Sequence, residues 1–338
     1  VHPFEPLSPQ KSCPICQENS VAYFSSYPSE VEPFASTVVE YCTHCGSGYV
    51  PGAGALLDGY YETEYSRSNR RDRMMEPNLY FSEATREKSP KLSRYFKRGT
   101  RQLDLLRDLG NPVERLLDFG SGPGYLLYLS NAKEIAAFEP DKDSEKYLSH
   151  IKATQYVALQ DLPRDHFDAV VSSHSMEHLP VGDLIATLRI LLAALKPDGH
   201  LLIEVPQGGL SHLKLSSRHD PHTIFFTNEG LQVAVKAAGG DIVFSKCFSP
   251  KKAKRRPDAI YTPEGNDFIR YPGGALTVVV RRGAHFVAPA PQSAAPAGAQ
   301  TTAQQPIIGS VLRKLGAKLP QPMRRLAGKI ARRLGLLR

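Results

Sequence analysis

Between Glu114 and Arg282, apolar runs of strand length alternate with stretches whose apolar residues recur at helical spacing. "ERLLDF" (114–119) reads as a strand, and "GYLLYLS" from Gly124 opens a helix. "EIAAFEPD" is a second strand ending at Glu139, and "TQYVALQDLP" a third ending in Asp161. "FDAVVSSHSMEHLP" gives a fourth strand running into a polar loop. "DLIATLRILLAALKPDG" predicts a helix with Asp183 as its N-cap and a Pro-Asp-Gly stop, and it delivers the chain to a fifth strand, "HLLIEVP". Such alternation predicts an α/β fold, a parallel sheet with helices on both faces, whose ligands sit at the carboxyl ends of the strands.

The candidate chemistry falls at those ends. Gly120, Gly122 and Gly124 occupy the turn after the first strand, where small residues let a ligand approach the backbone and the N–H groups of the next helix. A dinucleotide fingerprint spaces its glycines as G-x-G-x-x-G, but here Tyr125 holds the place of the third. Asp118, just ahead of the turn, suits a cationic ligand such as a sulfonium amino acid better than a pyrophosphate, although strand-end acids also serve structure. Glu139 is placed to accept both hydroxyls of a ribose, and Asp161 to reach an adenine amino group. With Asp118, Gly120, Ser121, Gly122, Gly124 and Ser173, these two acids make up the candidate cofactor-binding set.

Through "LLDFGSGPG", Glu139, Asp161, "FDAVVSSHSMEHL" and "LKPDGHLLIEVP", the chain resembles the class I S-adenosylmethionine-dependent methyltransferases from about residue 115 to 282. The resemblance implies a Rossmann-like sheet of seven strands and S-adenosylmethionine as cofactor. It also implies a helix over "TNEGLQVAVKAAGG", a sixth strand over "DIVFSKCF" and an antiparallel seventh over "ALTVVVRR". The hydrophilic insertion at 249–274 departs from that pattern.

Ahead of this core, "CPIC" and "CTHC" place Cys13, Cys16, Cys42 and Cys45 as two knuckles with 25 residues between them. That spacing suits four thiolates around a tetrahedral structural zinc ion, the other reading being unpaired buried thiols. His44 reads as an exposed spacer, and Cys247 as a core residue. A four-cysteine ribbon before a methyltransferase core looks like bacterial glycan and sugar methyltransferases, including sugar C-methyltransferases. The likeness extends to "LLDGYYETEY" and "RHDPHTIFFTNEGL". In the C-methyltransferases a Glu-His pair in the latter segment is the catalytic centre, whereas this chain has Pro221-His222. The missing glutamate favours O-methylation over C-methylation and leaves His222 as a base or acceptor-binding group.

A hydroxyl acceptor must lose a proton, a task suited to histidine near neutral pH. The candidates are His222 and His178, the latter also readable as a shaper of the pocket; His174, His212 and His219 have no special claim. Tyr60, Tyr61 and Tyr65 read either as a lid or as a packed connector. The loop "SHSMEH" lacks the Asn/Asp-Pro-Pro-aromatic element of base-amino methylation and the Pro-Cys nucleophile of pyrimidine methylation, which makes nucleic acid the lesser alternative to a sugar or glycan acceptor. A non-catalytic cofactor-binding scaffold is the other alternative.

Charge adds the last division. Of 338 residues 41% are apolar, and the net charge of +8 comes from the end of the chain, where 307–338 carries nine basic residues and no acid. An Ala/Pro/Gln tract before it reads as a linker, and "KKAKRR" at 251–256 as a solvated loop. In the tail, Ile308, Leu312, Leu315 and Leu319, then Leu326, Ile330, Leu334 and Leu337, repeat at helical spacing among basic residues. Two such basic amphipathic helices suit an anionic membrane surface; a fold-back onto the body or a partner protein is the second reading and RNA the third. The expected divisions are a ribbon at 1–54, a tyrosine-rich connector and leading helix at 55–110, the methyltransferase domain at 111–287, a linker at 288–306 and the tail at 307–338. With no membrane-spanning run and no signal-peptide pattern, the expected location is cytoplasmic, peripheral at the inner face of the membrane.

Overall fold

The computed structural model describes residues 11–19, 22–27, 34–57, 75–110, 112–207, 222–248 and 275–289, all within one compact unit, Val1–Ala290. Outside the described residues lie the insertion at 249–274, Tyr60, Tyr61, Tyr65, His212, His219, Pro221, the linker from residue 290 onward and the tail. No helix among the described residues is long and apolar enough to cross a membrane.

The strands are β1 (Ala22–Ser26), β2 (Val38–Cys42), β3 (Gly48–Tyr49), β4 (Arg115–Phe119), β5 (Glu134–Phe138), β6 (Thr154–Tyr156), β7 (Phe167–Ser173), β8 (Leu195–Pro206), β9 (Ile224–Phe225), β10 (Gly240–Phe248) and β11 (Ala275–Arg282). The helices are α1 (Ala53–Leu57), α2 (Pro77–Tyr80), α3 (Glu83–Lys88), α4 (Pro90–Asp108), α5 (Tyr125–Leu129), α6 (Glu145–His150), α7 (Leu184–Ala194) and α8 (Asn228–Ala237). Seven strands form one sheet in the order β10-β11-β8-β7-β4-β5-β6. Its β4, β5, β6, β7 and β8 pair in parallel, and β11 runs antiparallel to both β8 and β10. This is the Rossmann-like seven-stranded α/β sheet expected from the sequence.

Parallel strands buried on both faces need apolar residues on both. Leu117, Val170, Leu201, Ile203 and Val278 pack on one side with Leu188, Leu191 and Leu192 of α7 and Leu231 of α8. Leu116, Ala169, Val171, Leu202 and Val279 pack on the other with Leu92, Phe96 and Leu106 of α4 and Leu126 of α5. The two-residue period of a strand then puts Asp118, Ser173, Glu204 and Thr277 on the α4 side. There, an apolar face turns polar where the parallel strands end.

Two local expectations change. The third strand stops at Tyr156, and Asp161 is exposed at the end of a short 3-10 turn, Leu159–Asp161, rather than at a strand end. The chain leaves the sheet as soon as β6 has lost its partner, although the apolar pattern continues. Helix α7 ends at Ala194, so Lys-Pro-Asp-Gly lies inside β8 and is not a helix stop. Gly199 is needed there for close approach: a Cβ would stand 2.9 Å from the Phe167 carbonyl oxygen, where β7 and β8 slip register. Asp183 holds the N-cap position of α7, but its side chain makes no capping bond.

A second sheet, β1-β2-β3-β9, joins the N-terminal module to the body. Gly48 and Tyr49 pair with Phe225 and Ile224, and the Val50 amide donates to the Thr223 carbonyl at 2.8 Å. Tyr27, Phe34, Val39, Tyr41 and Phe225 share one buried cluster.

Candidate functional site

The turn after β4 is built by three glycines with left-handed backbone, Gly120 (φ 74°), Gly122 (φ 51°) and Gly124 (φ 81°). A Cβ at Gly120 would stand 2.1 Å from Ser175 Oγ, and one at Gly124 would stand 2.9 Å from both Ile151 Cδ1 and Leu148 Cδ2. At Gly122 no atom lies within 4 Å of that position. The outer glycines therefore serve packing, and the middle one leaves an open cradle. Glu139, just past β5, closes it: the Gly122 amide donates to its Oε2 at 2.7 Å and the Asp141 amide to its Oε1 at 2.9 Å.

Asp118 is buried on the α4 side of the turn, its pKa pushed up to about 7 by burial and by Glu139 against the opposing pull of Arg98. A carboxyl held near neutrality regains its charge when a cation arrives. An open cradle, the Glu139 carboxylate at its edge and this carboxyl fit an adenosyl sulfonium ligand. Arg98 of α4 donates to Tyr125 Oη at 2.8 Å through Nη2, and Gln102 donates to Ser173 Oγ at 2.9 Å. Ser121 is buried within the turn, and Asp161 stands exposed beyond β6.

Next to the cradle lies a cluster of buried charge. Ser175 Oγ donates to the Gly120 carbonyl at 3.4 Å, so the loop after β7 abuts the glycine turn. In that loop His174 adopts φ 58° and its amide donates to the Glu204 carbonyl at 2.7 Å. Its imidazole lies between two carboxylates, Nδ1 3.4 Å from Glu177 Oε1 and Nε2 3.8 Å from Glu204 Oε1. Burial lowers the His174 pKa, but the two carboxylates outweigh it and hold the imidazole above its ordinary value. Burial alone would raise Glu177 and Glu204, yet both are held at about 2, Glu177 chiefly by His174 with His178 and His222 nearby, Glu204 by His174 and Arg101. Arg101 of α4 reaches Glu204 Oε2 at 2.5 Å, and Thr277 Oγ1 donates to the same oxygen at 2.9 Å.

His178 and His222, found 44 residues apart in the sequence, stand with ring centroids 5.0 Å apart at 72°. Thr223 ties their segments together: its amide donates to the Glu177 carbonyl at 2.8 Å and its Oγ1 to the Leu179 carbonyl at 2.6 Å. Tyr27 Oη donates to the His222 carbonyl at 2.9 Å. His174, Glu177, Glu204 and Arg101 carry no local sequence pattern that marks them as site residues. A glutamate inside the apolar run "HLLIEVP" was the available signal, because a buried charge in a strand needs partners.

The N-terminal module brings Cys13, Cys16, Cys42 and Cys45 together, all buried and unbridged, their sulfurs within 4.8 Å of one another. Amides of Ile15 and Cys45 donate to Cys13 Sγ and Cys42 Sγ, each at 3.4 Å. Contact with Cys42 and burial push Cys13 up to about 12, and Cys45 is raised further by Cys13, Cys42 and burial. Four crowded thiols resist ionising together, and a divalent ion at their centre removes that obstacle. The cluster therefore fits a tetrahedral thiolate-bound metal. Thr227 Oγ1 donates to the Cys45 carbonyl at 2.5 Å and Ser47 Oγ lies 3.0 Å from Thr227 Oγ1, which fixes the second knuckle to the start of α8.

A family described as a methyltransferase domain matches residues 69–243. Solved structures similar to this chain include an S-adenosylmethionine-dependent methyltransferase from Mesorhizobium loti, 18% identical over 53% of this chain and 96% of that one, TM-score 0.38. One from Archaeoglobus fulgidus is 17% identical over 56% and 94%, TM-score 0.40, and one from Clostridium acetobutylicum 11% identical over 55% and 90%, TM-score 0.42. No curated protein matches the chain. With that domain covering just over half of its length, the chain belongs to the methyltransferase-domain family and is an S-adenosylmethionine-dependent methyltransferase.

Proposed function

We propose that the protein methylates a hydroxyl of a sugar or glycan precursor. The observation that carries this reading is the His178–His222 pair: His178 lies on the loop that abuts the glycine cradle, and His222 is held against it from the segment before β9. When bound, S-adenosylmethionine supplies an electrophilic methyl group. In this reading Gly120, Ser121, Gly122 and Gly124 receive the cofactor, Glu139 holds its ribose, Asp161 its adenine amino group, and Asp118 and Ser173 border its amino-acid end. His178 and His222 bind the acceptor hydroxyl and take its proton, a role that geometry assigns before pKa does. The carboxylate beside His222 comes from Glu177, not from the residue before it.

The four cysteines hold a structural zinc ion with no open position. The tail at 307–338, from its sequence, engages an anionic membrane surface and keeps the enzyme near lipid-linked acceptors. The test is to incubate the pure protein with methyl-labelled S-adenosylmethionine and a host lysate, then fractionate the label. Label in saccharide or lipid-linked material supports the reading. Label in RNA overturns it, and no label from a protein that binds the cofactor favours a scaffold.

A further inference from the structure

We propose that Glu177, His178 and His222 form a second metal site, distinct from the cysteine cluster, that takes a divalent transition ion through two imidazoles and one carboxylate. One ligand atom from each of the three residues lies within 4.8 Å of the others. Ligands sharing one ion stand about 3–4 Å apart, so small side-chain rotations close the set. The donor chemistry, nitrogen with hard oxygen, suits zinc, cobalt or manganese and differs from the all-sulfur set of the N-terminal module.

Glu177 gives the independent reason. It is 1% exposed, and neither of its carboxylate oxygens makes a hydrogen bond among the described residues. A buried carboxylate is ordinarily satisfied by donors. Its ion-pair partner His174 is shared with Glu204, and Nδ1 stands 3.4 Å away. A divalent ion held with His178 and His222 would satisfy the oxygens that hydrogen bonds leave bare.

The support around the three residues is that of a built site. Thr223 locks the Glu177–Leu179 turn to the His222 segment through three bonds, two of them to the Glu177 carbonyl. Tyr27 fixes the His222 backbone from the other module. Outer contacts of this kind orient metal ligands. Glu177 is buried while His178 and His222 are half-buried, so the site lies at the protein surface, and three protein ligands leave a tetrahedral ion one further position. That is the open arrangement of a metal that meets a substrate.

The inference keeps this site as the acceptor-hydroxyl site, rests on that reading for what the ion does, and moves removal of the proton from the two imidazoles to the ion. Imidazole lone pairs committed to an ion take no proton. The hydroxyl oxygen then becomes a ligand itself, and its proton passes to solvent more readily than from a free hydroxyl.

Cobalt titration of the full-length, metal-stripped protein tests the site directly. The expected result is two ions per chain: one with intense thiolate-to-cobalt charge-transfer bands, and one with only the weak visible bands of nitrogen and oxygen ligands. Glu177→Gln and His222→Ala each remove the second set and leave the first intact. His222→Ala, at a half-buried position, keeps the test valid if the buried Glu177 variant fails to fold. Retained S-adenosylmethionine binding reports folding. A single thiolate-bound ion, or a second ion indifferent to both variants, overturns the proposal. That outcome leaves histidine-assisted hydroxyl methylation standing, whereas label appearing in RNA would remove the acceptor reading and leave a measured cobalt site in place.

Discussion

Around the glycine turn the protein is organised by backbone: left-handed glycines, an open face at Gly122, and a carboxylate, Glu139, already oriented by two main-chain amides. Around His174 it uses side chains gathered from α4, the loop after β7, β8 and β11, each charge held by the next. A backbone site is local in sequence and fails at single positions. A side-chain network is scattered in sequence, and loss of one member is shared among the rest.

The largest expected effect separates two glycines within the first region. Gly122→Leu costs about 1 kcal/mol of left-handed strain in the free protein but lowers S-adenosylmethionine affinity by roughly a hundredfold or more, read by calorimetry. Gly120→Ala forces a contact on Ser175 and costs about 3 kcal/mol of stability, read from the urea midpoint. Equal stability losses in the two variants would remove the distinction between packing and cradle glycines.

Next comes the network. Glu204→Gln removes the carboxylate between Arg101 and His174, and since the Arg101 side chain is 40% exposed it can return to water. The expected loss is about 2 kcal/mol, below the roughly 3–5 kcal/mol of a fully buried pair. A loss at the upper end would mean that Arg101 is more tightly held than its exposure implies.

Asp118 links the two regions through pH. Its folded pKa of about 7 lies above the ordinary carboxyl value, so the folded protein retains a proton that the unfolded chain releases. The stability that Asp118 contributes therefore falls as pH rises from about 4 to about 7 and levels off above that. A sulfonium ligand favours the ionised form, so cofactor affinity should rise about tenfold between roughly pH 5.5 and 8. Asp118→Asn should flatten that slope; an unchanged slope would assign it to another group. The smallest effect is Tyr27→Phe, which deletes the bond to the His222 carbonyl and costs about 1 kcal/mol. Its sharper readout is a shift of the His222 ring resonances.

The same contrast explains what was legible. "DFGSGPG" is contiguous and its glycines carry their own conformational reason, so the cradle could be read directly. The cysteine knuckles were equally local, and the limits of the seventh strand, 275–282, follow its apolar run. His178 and His222 were each recognisable, but only the β3–β9 pairing and Thr223 bring their rings together. His174 looked like loop polarity because nothing in the sequence reveals a left-handed histidine caught between distant carboxylates. Asp161 was misplaced because hydrophobic alternation outlasts strand pairing: Val157 continues the pattern yet is 61% exposed.

The two-residue strand Ile224–Phe225 has an evolutionary reading. It is the fourth strand of a sheet whose other three lie near the N-terminus, and it begins two residues after His222. Neither partner completes that sheet alone, so the N-terminal segment is not a cassette to be traded freely between catalytic bodies. A functional chimera would have to exchange residues 11–57 and the 222–228 segment as one inherited block, a linkage invisible to any comparison that treats the cysteine module as an add-on.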